Sequence, residues 1–245
     1  MSARLPVVKT PKVFVGGAFI RSESGRTYPI HEMNGSGSPG KFFANIPQCT
    51  RKDLRNAVEA AAKAGPGWAK RTPYNRGQII YRLGEMIEAR STEMCSALVR
   101  TTGDSKANAE REVAATVDRL IYYAGWADKY EQVLGNTNAV AGPFFNFTVV
   151  EPMGIVGIIA EDRFPLLGLM SLIAPAIVSG NTVVALASQQ SPFPSIVLGE
   201  MLATSDLPGG VVNILTGFRA ELVPTFTSHT HLRGTGWEYT LVFPD

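Results

Sequence analysis

Beyond residue 153 the chain alternates short apolar runs with longer apolar segments, and this alternation restricts the fold more than any other feature. Residues 154–160, 182–187 and 211–215 are rich in Val, Ile and Leu and carry no charge. Such runs read as strands buried on both faces. Residues 166–179, 193–204 and 219–228 have helical length, and Gly180-Asn181 is a stop signal after the first of them. Strand, helix, strand, helix, strand implies a parallel sheet with right-handed crossovers, and hence an α/β, doubly wound, Rossmann-like fold. Ligands of such sheets lie beyond the carboxyl ends of the strands. The candidate site therefore comprises residues 159–163, 185–190 and 215–219.

The uncharged stretch 164–199 is long enough for a membrane span, but Pro175 and Gly180 interrupt it, so a buried helix and strand are the better reading. A net charge of +2 supplies no field for nucleic acid or for a charged membrane surface. Cys49 and Cys95 are the only cysteines. Two thiols make no disulfide framework, and the first residues contain no apolar leader, so a reducing, cytoplasmic location is expected.

The chain before residue 134 is mostly helical in pattern. Two short apolar runs around Gly16-Gly17 signal a hairpin, and residues 41–46 a further strand. Thr50 and Asp53 resemble a capping box, with Asp in place of the usual Glu. The helix that follows is expected to stop at Gly65-Pro66-Gly67. A second helix is expected over 74–89, a third from Ser91 to Thr102-Gly103, and one long helix over 105–132. Residues 134–150 then carry no charge and end in the alternating run Phe144-Phe145-Asn146-Phe147-Thr148-Val149-Val150. This divides the chain into a helical layer (1–133), a β arm (134–150) and a nucleotide-binding sheet (151–245).

Glu151-Pro152-Met153-Gly154-Ile155-Val156-Gly157, Phe164-Pro165-Leu166-Leu167, Ala174-Pro175-Ala176, Gly180-Asn181-Thr182 and Leu207-Pro208-Gly209-Gly210-Val211 occur in an order and spacing that resemble the aldehyde dehydrogenase superfamily. Val15-Gly16-Gly17, Gly67-Trp68, Arg76-Gly77, Arg111-Glu112-Val113 and Tyr122-Tyr123-Ala124-Gly125 extend the resemblance over about residues 12–230. It implies an NAD(P)-binding domain. Its cofactor-binding positions would be Ile159, Ala160, Glu161, Leu186, Ser188, Gln189 and Gly217. It also implies a β arm that joins another subunit, so a homo-oligomer or a full-length relative is the expected partner.

Several of these positions depart from the family pattern. Arg163 stands where the family has the Asn that donates to the oxyanion, and Leu186 where a Lys binds the adenosine ribose. Gly217-Phe218-Arg219 replaces a Gly-x-Gly loop, and Trp237 to Leu241 replaces a Thr-Gly-Ser turn. The family's general-base Glu and nucleophilic Cys would lie beyond Asp245. No catalytic residue is therefore assigned, and the resemblance is strongest to the shortened, degenerate second copy that some members carry. NAD(P) binding is expected to be weak or absent.

Other motifs read more simply as structure. Cys95 and Cys49 are small core residues, and His229-Thr230-His231 lacks a third metal ligand. The adjacent carboxylates Glu161 and Asp162 would point apart in extended chain, which disfavours a metal site. Gly154-Ile155-Val156-Gly157 lies within a strand and is no dinucleotide fingerprint. Three functions remain open: a non-catalytic assembly or regulatory module, an aldehyde oxidoreductase completed by a second chain, and a relic nucleotide-binding module.

Overall fold

The computed structural model describes residues 9–35, 38–237 and 240–242. The leading residues 1–8, read above for a leader, and Glu238-Tyr239 of the altered turn lie outside the described residues. The expected alternation is present as β7 (Ile155–Ile159), α6 (Leu167–Val178), β8 (Thr182–Leu186), α7 (Phe193–Ala203), β9 (Val212–Leu215) and α8 (Arg219–Ser228). A further strand, β10 (Leu232–Trp237), pairs parallel to β7 on the side away from β8. The strand order thus reverses at β7, which sets the switch point of the sheet there.

Every residue of β7, β8 and β9 is buried, because helices cover both faces. Val156, Ile158, Val183, Ala185, Val212 and Ile214 face one core, which holds the apolar sides of the helical layer, α6 and α7. Ile155, Val184, Leu186 and Leu215 face the other, against Leu54, Val58, Leu222 and Phe226. Alternate residues of each strand therefore serve opposite cores, as the pleat requires.

The amino-terminal hairpin forms as expected, as β1 (Val13–Val15) and β2 (Ala18–Ile20), and it joins the main sheet. β1 pairs antiparallel with β9, and Gly16 N donates to Asn213 Oδ1 at 2.8 Å. A two-stranded ribbon follows, β3 (Thr27–Met33) with β4 (Pro39–Pro47). The sequence pattern indicated only part of β4 and none of β3.

Helices α1 (Arg51–Ala69), α2 (Pro73–Ala89), α3 (Ser91–Thr102) and α4 (Lys106–Trp126) form the layer over the first core. Asp53 Oδ2 accepts from Thr50 N at 2.7 Å, so the shorter Asp serves the capping role. Two helix bounds differ from expectation. First, α1 runs through Gly65-Pro66-Gly67 to Ala69, because Trp68 is buried and its indole Nε1 donates to Ile177 O at 2.9 Å. That anchor holds the last turn although Pro66 supplies no N–H. Second, the long helix ends at Trp126, and a separate α5 (Tyr130–Leu134) follows. The break turns Tyr130 toward Arg76, whose Nη2 donates to the phenol oxygen at 3.0 Å. Close packing of α2 on α4 needs Gly77, where an added Cβ would lie 2.9 Å from Ala124 O.

The arm residues form a two-residue ladder, β5 (Thr137–Asn138) with β6 (Asn146–Phe147). Phe144 and Phe145 beside it are 73% and 77% exposed. Completing the sheet, β11 (Thr240–Val242) pairs antiparallel with β10 at the edge. Among the described residues, no helix is long and apolar enough to cross a membrane.

Candidate functional site

The parallel strands deliver three chain segments to one end of the sheet. Beyond β7 the chain continues through Ala160, Glu161, Asp162 and Arg163; beyond β8 through Ala187, Ser188, Gln189 and Gln190; beyond β9 through Thr216, Gly217, Phe218 and Arg219. The ladder persists one step past the strands, with Ala160 N donating to Leu186 O at 2.9 Å and Ala187 N to Leu215 O at 2.8 Å. The three segments are therefore held in fixed register.

One carboxylate ties them together. Asp162 Oδ1 accepts from Ser188 Oγ at 2.7 Å, from Gln189 N at 2.9 Å and from Gln190 N at 3.2 Å. Its Oδ2 accepts from Arg219 Nη1 at 2.7 Å, in an ion pair whose side chains are about one-fifth exposed. Arg219 Nη2 donates to Ala160 O, and the Arg219 backbone N–H, at the start of α8, donates to Gln189 Oε1 at 2.8 Å. Asp162 thus links the ends of β7 and β8 and, through Arg219, the start of α8.

The expected site residues are only partly assembled. Ser188 and Gln189 face this cluster. Ile159 and Ala160 are buried, and Ala160 contributes its carbonyl. Leu186 is fully buried and belongs to the core between the sheet and α1 and α8, so it presents no polar group to the strand ends. Gly217 has φ +152°, and a Cβ there would meet Leu222 at 3.1 Å and the Cys49 carbonyl at 3.3 Å. Arg163 is exposed, with its guanidinium carbon 5.1 Å from the Phe164 ring centre. Glu161 approaches α6, since a Cβ on Gly168 would lie 2.6 Å from Glu161 Oε1.

The sequence places Asp162 and Arg219 within the candidate segments but does not show their pairing, and Tyr28 lies outside those segments. The sequence alone presents Asp162 as a neighbour of Glu161 and Arg219 as a replaced glycine, with nothing to join the two. Tyr28 lies on the unrecognised β3; its ring is tilted against Phe218 at 5.0 Å, and its hydroxyl is buried without a partner. Burial, with Cys49 and Asp162 nearby, pushes the Tyr28 phenol well above its ordinary range. The period-two spacing of Tyr28 and Ile30, which the fold buries, is the sequence signal for that strand, masked by Pro29.

The remaining motifs take structural places. Cys49 is fully buried, and burial pushes its thiol up to about 12, so it is no nucleophile at neutral pH. Cys95 lies in α3, and burial raises its thiol too. The His229 and His231 rings meet edge to face at 5.7 Å between centres, with no group of three possible metal ligands among the described residues.

The aldehyde dehydrogenase family model matches residues 20–235. Omega-crystallin of Enteroctopus dofleini is 30% identical over 229 residues, covering 92% of this chain and 45% of that protein. Retinal dehydrogenase 2 of Gallus gallus is 33% identical over 226 residues, covering 91% and 42% respectively. The solved NAD+ complex of an aldehyde dehydrogenase from Bacillus cereus superimposes with a TM-score of 0.85 at 27% identity, covering 93% of this chain and 45% of that one. The chain spans less than half the length of the curated relatives it matches. With the reversed strand order at β7, the helical layer and a family match over most of its length, the chain belongs to the aldehyde dehydrogenase family.

Proposed function

We propose that this chain is a non-catalytic aldehyde dehydrogenase-like module, an assembly or regulatory subunit that binds NAD(P) weakly or not at all. The observation that carries this reading is the ion pair between Asp162 and Arg219 across the strand ends. A dinucleotide at the switch point needs ribose acceptors and donors, and free N–H groups for its phosphates. Here Leu186 is sunk in the core, and Gln189 spends its amide oxygen on the first N–H of α8. The residues present do not fit the cofactor, so no hydride-transfer step is assigned to them. Arg163, exposed at the position of the family's oxyanion donor, supports the same reading.

The partner is a second copy or a full-length relative, engaged through residues 134–150. Exposed Phe144, Phe145, Phe147 and Val149 support this, because soluble proteins seldom leave such a strand edge bare. The cytoplasm suits two free, buried thiols.

Calorimetry with NAD and with NADP tests the reading, alongside NADH formation from short, long and aromatic aldehydes. Affinity roughly ten- to a hundredfold below that of a cofactor-retaining relative is expected, as befits lost charged hydrogen bonds. Micromolar NAD affinity, or turnover that survives replacement of both cysteines, would overturn it.

A further inference from the structure

Four donors converge on the Asp162 carboxylate: one hydroxyl, two successive backbone N–H groups and one guanidinium. That is the donor set by which proteins hold oxyanions: paired main-chain N–H groups give a concave positive pocket, and a guanidinium adds the charge. Only one thing distinguishes it from a ligand site, namely that the anion is covalently part of the chain. We infer that Ser188, Gln189, Gln190 and Arg219 form an oxyanion site, filled in this protein by the carboxylate of Asp162. The inference rests on the reading that the switch-point crevice no longer accepts a dinucleotide, and it identifies which residue keeps it shut.

Three further observations support it. Arg219 Nε is buried and has no partner in this arrangement, so the guanidinium keeps an unused donor at the site. Tyr28, whose buried hydroxyl is also unpartnered, packs its ring against Phe218, the neighbour of Arg219. Gln189 Oε1 caps the Arg219 N–H, so a second group of this chain takes a place that an anion's oxygen could take. The class of ligand that fits is a tetrahedral or carboxylate oxyanion, whether free inorganic phosphate or the phosphate of a mononucleotide.

Removing the internal anion should therefore uncover an external one. Replacing Asp162 by Ala leaves the hydroxyl, the two N–H groups and a guanidinium without their carboxylate. The variant should melt below the parent chain in a chloride buffer and regain stability as inorganic phosphate is added at constant ionic strength. A phosphate concentration a hundredfold above its dissociation constant should raise the melting temperature by about 5 °C or more for a chain of this size. The parent chain should show no such response. Adenosine monophosphate at matched concentration separates the sources: a response equal to that of phosphate marks a free-ion site, and a larger one a nucleotide site. If the Ala variant fails to fold, D162N keeps one acceptor for the N–H groups while freeing Arg219, and it should show a smaller phosphate response. That response should vanish when R219A is added. Equal stabilisation of the parent and of the Asp162 variants by phosphate, or none of either, would overturn the inference. Tight NAD binding by the parent would overturn the proposed function while leaving the phosphate comparison to decide the site.

Discussion

The carboxylate of Glu112, in α4, accepts the backbone N–H groups of Leu166 and Leu167 at 3.0 and 3.1 Å, where α6 begins. An acidic side chain from a distant helix thus supplies the cap that the sequence at 164–166 lacks, and it places the start of α6 beside the end of β7. Burial raises the Glu112 carboxyl above its ordinary value of 4.5, the two N–H bonds opposing this only in part. The folded state then holds the proton more tightly than the unfolded state. The resulting contribution to stability is fully present below pH 4.5 and is lost as pH rises through the raised value. Glu112→Gln keeps an acceptor for both N–H groups and removes the titration. Its unfolding free energy should therefore fall less than that of the parent chain between pH 4.5 and 7; parallel curves in urea would contradict this.

Arg76 should be the most sensitive charged position in the helical layer. It is 3% exposed and donates to Val178 O at 2.8 Å, to Arg71 O at 2.6 Å and to the Tyr130 hydroxyl, joining α2 to the end of α6 and to α5. Arg76→Ala leaves the buried Val178 carbonyl and several part-buried acceptors without donors, each worth up to about 1–3 kcal/mol and not additive. A loss of about 3 kcal/mol, or roughly 6–12 °C in melting temperature, is expected by calorimetry. A loss below about 1 kcal/mol would mean that water replaces the guanidinium.

Leu186→Lys should damage the fold rather than restore a cofactor site. The side chain lies fully buried in the core with Leu215 and Leu222, so an ammonium placed there is desolvated. Destabilisation of at least about 2 kcal/mol is expected, with no gain in NAD affinity. A stable variant with improved affinity would show that the end of β8 can turn its side chain toward the crevice.

Much of the sheet was legible because its evidence is local. Uninterrupted apolar runs separated by Gly180-Asn181 and by Leu207-Pro208-Gly209 mark strands and turns within a few residues of themselves. What failed to show was whatever depended on distant partners. Trp68 carries α1 past Pro66 only because Ile177, 109 residues away, offers its carbonyl. The strand containing Tyr28 is stabilised by Phe218 and by the ribbon rather than by its own propensity, which Pro29 lowers. The same limit hid the pairing within the site: Asp162 and Arg219 lie in two of the expected strand-end segments, but 57 residues apart. A rule about adjacent carboxylates drew attention to Glu161 and Asp162 as a pair, whereas the pair that matters joins opposite charges.

Cys49 should be inert until the protein unfolds. Its thiol is fully buried beside Thr216, whose backbone oxygen accepts the Cys49 N–H at 2.9 Å. A folded-state value near 12, against an ordinary 9.0, means that the unfolded thiol ionises first. Its share of stability is complete below pH 9 and declines as pH rises toward 12. An aromatic disulfide reagent at pH 8 should label Cys49 at the global unfolding rate. Labelling at the rate of a free thiol would place it in a locally opening segment.

Phe145→Lys should convert an oligomer to monomer without unfolding it. Phe145 stacks on Phe147 at 5.3 Å and is 77% exposed, so the change removes apolar surface while leaving the core untouched. Light scattering and circular dichroism together check this. A parent chain that is already a monodisperse monomer at micromolar concentration would remove the arm as a contact.

The pairing of β1 with β9 sets a clock on biosynthesis. Gly16 must wait for Asn213, 197 residues later, before the amino-terminal hairpin can dock against its neighbour in the sheet. At ribosomal rates of about 5–20 residues per second, that interval lasts roughly 10–40 s. Throughout it, the nascent hairpin exposes Val13 and Val15, which are buried in the finished sheet, to solvent or to a chaperone. The hairpin is made long before the strand that satisfies it, so a pause in translation before β9 prolongs the period in which this protein is vulnerable to aggregation.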